Sequence, residues 1–174
     1  MNNLNIKLLS DNAILPTRAY GVSAGLDIYA AETVVIEPQK KILLATDIAV
    51  DIPEGYVGLL TSRSGVSSKT HLVVETGKID AGFQGNMKIN VKNSATDKGI
   101  KQTTALDING EPIKKWSGIF ARYFTGMENT YKINKGDKIA QLVIVPIVTP
   151  EVNVVEEFDG KSERGSQGFG SSGY

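Results

Sequence analysis

The stretch Met87-Lys88-Ile89-Asn90-Val91-Lys92 alternates apolar and polar side chains without a break. Successive side chains of a strand point to opposite faces, so this run reads as a β-strand with one face buried and one face wet. Runs of similar character recur on both sides of it. Leu4, Ile6 and Leu8 alternate with polar residues, and β-type segments follow at 33–36, 42–45 and 56–60, set off by Glu37-Pro38 and Pro53-Glu54-Gly55. Downstream, 139–148 is a longer apolar stretch ended by Pro150, and 152–155 adds one more short run. Many short strands with Gly/Pro punctuation predict an all-β domain, a barrel or sandwich rather than βαβ units.

One segment breaks this pattern. The 42 residues between Asn93 and Gly136 far exceed the roughly 4–6 of an ordinary connection. Within them Trp116, Ile119, Phe120, Tyr123, Phe124 and Met127 recur at helical spacing, with Lys114, Lys115, Ser117 and Arg122 between them. Pro112 near the start and Gly126 near the end punctuate a helix there. The expectation is one domain over 1–174 carrying a partly helical insertion at 98–131. The aromatic stripe either packs on the barrel or forms a docking surface for another protein.

Composition narrows the chemistry. Lys+Arg and Asp+Glu balance at 19 each, so no global basic field favours duplex nucleic acid or a membrane surface. Zero Cys removes disulfides and thiolate chemistry, and fits a reducing cytosol. The single histidine, His71, lies beside an apolar Leu-Val-Val run and reads as structural, and multi-histidine metal sites are excluded. No signal segment and no apolar run of membrane-spanning length is visible, so the expected location is cytoplasmic. Hydrolysis here would use carboxylates, hydroxyls, Arg and a metal carried in by the substrate.

Candidate chemistry sits in three loops and a tail. Ser62-Arg63-Ser64-Gly65 gathers a guanidinium, two hydroxyls and a flexible backbone, a set that suits phosphate oxygens. It is not a P-loop, because Ser68 stands where the glycine before Lys69 should be. The Gly-rich run from Gly77 to Gly85 leads into the alternating strand; a hairpin there can present backbone groups to a base edge, and Asp80 at its base can deprotonate a water. Asp27, in Ser23-Ala24-Gly25-Leu26-Asp27, is a second carboxylate between a turn and a strand. Each of these alone is also ordinary turn chemistry. The tail is Gly/Ser-rich, nine of the residues 159–174, and cannot fold alone, yet it carries Arg164, Phe169, Ser171 and Ser172. It reads either as a disordered terminus or as a flexible lid over a nucleotide.

In order along the chain stand Ala24-Gly25-Leu26-Asp27, Arg63-Ser64-Gly65, Gly77-x-Ile79-Asp80-x-x-Phe83-x-Gly85, Gly136-Asp137-Lys138-Ile139-Ala140-Gln141 and Arg164-Gly165-x-x-Gly168-Phe169-Gly170-Ser171-x-Gly173. This ordered set closely resembles the five motifs of the trimeric dUTP diphosphatases (dUTPases), and spans residues 24–174 apart from the long segment. That segment resembles the insertion of staphylococcal phage members, the group this chain resembles most. The resemblance implies a jelly-roll-like β barrel, a homotrimer with each active site built from three chains, and hydrolysis of dUTP to dUMP and pyrophosphate by water attack at the α-phosphorus. Asp80 would hold that water. Arg63, Ser64, Gly65 and Gln141 would contact the phosphates, with Ser64 near the α–β bridging oxygen. The backbone of Gly77, Lys78 and Ile79 would read uracil, Phe83 would pack on deoxyribose, and Lys88 would line the far side of the pocket. Arg164, Gly170, Ser171 and Ser172 would hold the γ-phosphate under a 159–174 lid, with Phe169 stacked on the base. Mg²⁺ would be held mainly by the triphosphate, Asp27 reaching it through water.

Four positions depart from the family pattern. Phe83 stands where Tyr is usual, Lys138 where Arg is usual, Gln167 where Gly is frequent and Asn86 where an acid is frequent. A relative with the same fold, dCTP deaminase, has a catalytic Glu ten residues beyond the Asp80 equivalent; here that position is Asn90, which argues against deamination. The phage resemblance also implies a second role, binding and relieving a pathogenicity-island repressor through the insertion, in the cytoplasm of a host cell. Deletion of 98–131 would then reduce repressor binding far more than turnover. Direct nucleic-acid or membrane partners are not expected.

Overall fold

The computed structural model describes residues 3–99, 101–102, 105–113, 126–160 and 162–167, with the backbone alone considered at 101–102 and 126–127. Thirteen strands and one short helix are present among these residues. The alternating run is a strand, β9 (Lys88–Asn93), and it lies at the centre of a three-stranded sheet between β4 (Lys41–Ala45) and β7 (Leu72–Val74). Ile89 and Val91 are fully buried while Lys88 faces water, as period-2 alternation requires. A four-stranded sheet runs β2 (Leu26–Tyr29), β13 (Lys138–Pro146), β6 (Tyr56–Ser62), β8 (Gly77–Ile79). Two-stranded pairs complete the β framework: β1 (Asn5–Leu8) with β5 (Ile48–Asp51), β3 (Val34–Ile36) with β12 (Tyr131–Ile133), and β10 (Lys101–Gln102) with β11 (Gly126–Met127).

Side chains from both larger sheets meet in one apolar cluster. Ile28, Leu60, Ile139 and Leu142 come from the four-stranded sheet; Leu44, Leu72 and Ile89 come from the other; Ile36, Ile48 and Tyr131 come from the pairs. One shared core of this kind is what an all-β, jelly-roll-like barrel needs, and it holds the loops at the strand ends in fixed positions.

Four expectations change. The 77–93 region is not a self-paired hairpin: β8 pairs with β6 and β9 pairs with β4 and β7, so the intervening turn joins two sheets. Residues 152–155 form no strand; Val152 and Val154 are more than nine-tenths exposed, and no strand among the described residues pairs with them. A helix not foreseen, α1 (Ser64–Lys69), follows β6 directly, anchored by buried Val66 and closed where Thr70 donates through N and Oγ1 to the Val66 carbonyl. Met127 and Gly126, expected at the end of a helix, are extended and paired with Lys101 and Gln102. The rest of that expected helix, with Trp116, Ile119, Phe120, Tyr123 and Phe124, lies outside the described residues.

Candidate active site

Antiparallel pairing brings together residues far apart in the chain. Across β2, β13 and β6, Gln141 stands opposite Asp27 on one side and Thr61 on the other. Directly opposed residues share a sheet face, so Gln141 and Asp27 point the same way. Gly25 makes this approach possible: a Cβ there would sit 2.7 Å from Gln141 Oε1.

Arg63 follows the end of β6 and is extended at the start of α1 (φ −82, ψ 138). Its Nε donates to Asp27 Oδ1 at 2.8 Å, and Lys138 Nζ lies 3.0 Å from Asp27 Oδ2. Asp27 is 2 % exposed, whereas the Arg63 and Lys138 side chains are 27 % and 38 % exposed. Two cations thus share one buried carboxylate and leave a surplus positive charge, one residue before Ser64. The Asp27 hydrogen bond raises Lys138 above the ordinary lysine value, which keeps it charged. Lys138 also lies 5.5 Å from the Tyr29 ring centroid, and the Tyr29 hydroxyl is 2.6 Å from Thr17 Oγ1. The sequence marked Lys138 only as an unusual replacement. Its partnership with Asp27 had no signal there, because the two meet only through strand register.

The second group surrounds the 80–87 turn. Asp80 is exposed, its carbonyl accepting from Phe83 N at 3.2 Å, and Gly82 supplies the left-handed conformation (φ +84) that closes the turn. The Phe83 ring lies against Gly85, where a Cβ would come within 2.8 Å of it. Asn86 Nδ2 donates to Asp47 Oδ1 at 2.9 Å, while Ser10 Oγ donates to Asp47 Oδ2 at 2.6 Å. These bonds hold Asp47 below the ordinary carboxylate range. They also account for Asn86: an acidic side chain there would face the Asp47 carboxylate. Lys88 is exposed on β9, close enough to Asp47 to contribute to its lowered value. Gly77, Lys78 and Ile79 form the edge strand of the four-stranded sheet.

The two groups do not meet within one chain. Ile79 pairs with Gly58, near the start of β6, while Arg63 and Ser64 follow its far end. At about 3.3 Å per residue, Gly58 to Ser64 spans on the order of 20 Å. Asp80 therefore cannot act on a group held by Ser64 of the same chain. In the tail, Arg164 is exposed and its Nε donates to Gln167 O at 2.9 Å; Phe169, Gly170, Ser171 and Ser172 lie outside the described residues.

No group of three or more His, Cys, Asp or Glu placed to hold a metal exists among the described residues. Asp27 is already flanked by two cations, so this donor set fits a divalent ion only if the ion's main ligands come from a bound anion. No helix among the described residues is long and apolar enough to cross a membrane.

An all-β fold with a buried acid shared by two cations at the start of a short helix is an arrangement suited to binding an anion. The chain belongs to the dUTPase family: the family model matches residues 11–104 and 114–173. The Staphylococcus bacteriophage 80alpha dUTPase, solved with dUpNHpp, is 56 % identical with full coverage of both chains and a TM-score of 0.94; it is described as controlling transfer of virulence genes by a proto-oncogenic G protein-like mechanism. The dUTPase of phage phi11 of S. aureus, described with a species-specific insert, is 56 % identical over 92 % of this chain and all of its own, with a TM-score of 0.85. A variant of that phi11 enzyme carries a structural Mg(II) ion. The deoxyuridine 5'-triphosphate nucleotidohydrolase of Oryza sativa subsp. japonica is 34 % identical over 98 % of this chain and 80 % of its own length.

Proposed function

We propose that the chain hydrolyses dUTP to dUMP and pyrophosphate at sites shared between subunits of a homotrimer. Water oxygen bonds to the α-phosphorus, the bond to the α–β bridging oxygen breaks, and pyrophosphate leaves with the electron pair. Asp80 takes the water's proton. The Asp27–Arg63–Lys138 cluster carries the reading, because it offers organised positive charge where a triphosphate needs it and costs no reorganisation in the transition state. Ser64 donates to the bridging oxygen as charge develops, and Gly65 and Gln141 add phosphate contacts. The edge backbone of Gly77, Lys78 and Ile79 reads uracil, Phe83 packs on the deoxyribose and Lys88 borders the pocket. Arg164, Gly170, Ser171 and Ser172 grip the γ-phosphate and Phe169 covers the base, with 159–174 acting as a lid. Mg²⁺ would be held mainly by the triphosphate, with Asp27 acting on it through water, and would neutralise charge on the phosphates.

The separation of Asp80 from Ser64 along β6 supports the shared site, and the exposed valines of 152–155 fit a segment covered by another subunit. The test mixes two variants. Arg63→Ala and Asp80→Asn should each release almost no pyrophosphate from dUTP. Refolded together, they should recover about a quarter of wild-type activity, since random assembly re-pairs intact halves in that share of sites. No recovery would place both groups in one chain and refute the reading.

A second role, relief of a repressor, is favoured by one observation. β10 pairs with β11, so the two ends of the 103–125 segment lie side by side. Deleting 114–125 alone should weaken binding of a pathogenicity-island repressor far more than turnover; equal loss of both would refute separate roles.

A further inference from the structure

The insertion does not begin as a free excursion. Leu106 joins β12 through a bridge to Tyr131 and faces Pro112 across a turn at Asp107, whose Oδ1 accepts from Asn109 N at 2.8 Å and Glu111 N at 2.9 Å. At the tip, Gly110 adopts φ +77 and lies against the last turn of α1, where a Cβ would overlap the Lys69 carbonyl oxygen. One residue past the helix cap, His71 is held by Tyr131: the buried Tyr131 hydroxyl accepts from His71 N at 3.1 Å and lies 3.0 Å from His71 Nδ1. Helix α1 spans only six residues, with Ser64 at one end and Lys69 at the other. Its rear end is thus clamped between the turn and Tyr131.

We propose that the 105–113 turn positions the phosphate loop: Gly110 backs α1, and so fixes where Ser64 presents its hydroxyl. The inference rests on the reading of Ser64 as a phosphate contact. A helix of under two turns has little rigidity of its own and is placed by what touches its ends. A displacement of about 1 Å in a positioning element can cost up to about 10²-fold in rate. Since Ser64 acts on charge that develops during bond breaking, the loss falls on kcat more than on KM. It follows that deleting all of 98–131 would remove this support along with any docking surface, so such a deletion cannot separate the two.

The test is Gly110→Ala, with pyrophosphate release from dUTP measured per folded protein. About a tenfold or greater fall in kcat is expected with KM changed little, together with faster amide exchange in α1. Gly55→Ala controls for backbone strain alone, since Gly55 has a comparable φ of +79 with nothing within 4 Å of an added Cβ; its kcat should match wild type. If Gly110→Ala fails to fold, Asp107→Ala loosens the same turn without the overlap, and should lower kcat in the same direction by less. Wild-type kcat in whichever of these variants folds, alongside a slow Ser64→Ala, overturns the brace. Wild-type kcat in Ser64→Ala overturns the phosphate-loop reading instead.

Discussion

The Asp27–Arg63–Lys138 cluster and the 80–87 turn are both charged, yet they are built in opposite ways. In the first, a carboxylate 2 % exposed is held by one cation at the start of α1 and another on β13, so its geometry is set before any ligand arrives. In the second, Asp80 and Phe83 stand in water on a turn pinned from behind by Asn86 and Asp47. The contrast teaches a division of labour. On the proposed function, phosphate charge meets a preorganised electrostatic surface, whereas the carboxylate proposed to activate water is left to be enclosed by whatever closes over it. One chain completes the first and only prepares the second.

Substitutions can break this comparison. The largest effect is expected from Asp80→Asn, which keeps shape and removes the base: turnover should fall by about 10²–10⁴, with binding of dUpNHpp retained by calorimetry. Near-normal turnover would take the reaction away from the turn. Next, Asp27→Ala leaves two cations crowding a buried void and should lower the unfolding free energy by about 3 kcal/mol in urea titration, with turnover lost as Arg63 swings free. A variant as stable as wild type would mean that the cluster is not preorganised.

Lys138 sharpens the comparison. Lys138→Met should cost several-fold in turnover and Lys138→Arg should restore it. Its raised pKa means that the stability from pairing with Asp27 is fully present below the ordinary value of 10.5 and lost as pH rises through the raised value. The melting-temperature gap between wild type and Lys138→Met should therefore stay constant near neutrality and close only above pH 10.5. The smallest effect concerns the turn's support. Asp47 is lowered by Ser10 and Asn86, so its contribution is present above the ordinary 3.8 and lost as pH falls through the lowered value. Asp47→Asn should flatten that acid loss in melts taken as the pH falls below 3.8. A curve parallel to wild type would show that Asp47 does not anchor Asn86.

Where the local pattern matched the burial, the sequence was legible. The alternation of residues 87–92 located β9 and its buried face, and the apolar run from 139 located β13. Residues 152–155 are also β-type, yet no strand among the described residues pairs with them, because pairing is a property of neighbours and not of propensity. Helix α1 escaped notice because one buried valine anchors it and no periodicity can develop in six residues. The motif residues Asp27, Arg63 and Gln141 were identified by their order, but not the bonds among them, and Lys138 was noted without a partner.

By itself the sequence determined the all-β class, the phosphate-suited Ser-Arg-Ser-Gly loop, the carboxylates available for chemistry and the presence of a long interruption after Asn93. These follow from residue type and period, which are local. The tertiary structure alone decided that Asp27 is shared by Arg63 and Lys138, that Asp80 and Ser64 stand at opposite ends of β6, and that the interruption begins by backing α1. The first two depend on strand register, which is set by the burial of one common core rather than by any segment read alone, and the third on a contact between segments far apart in the chain.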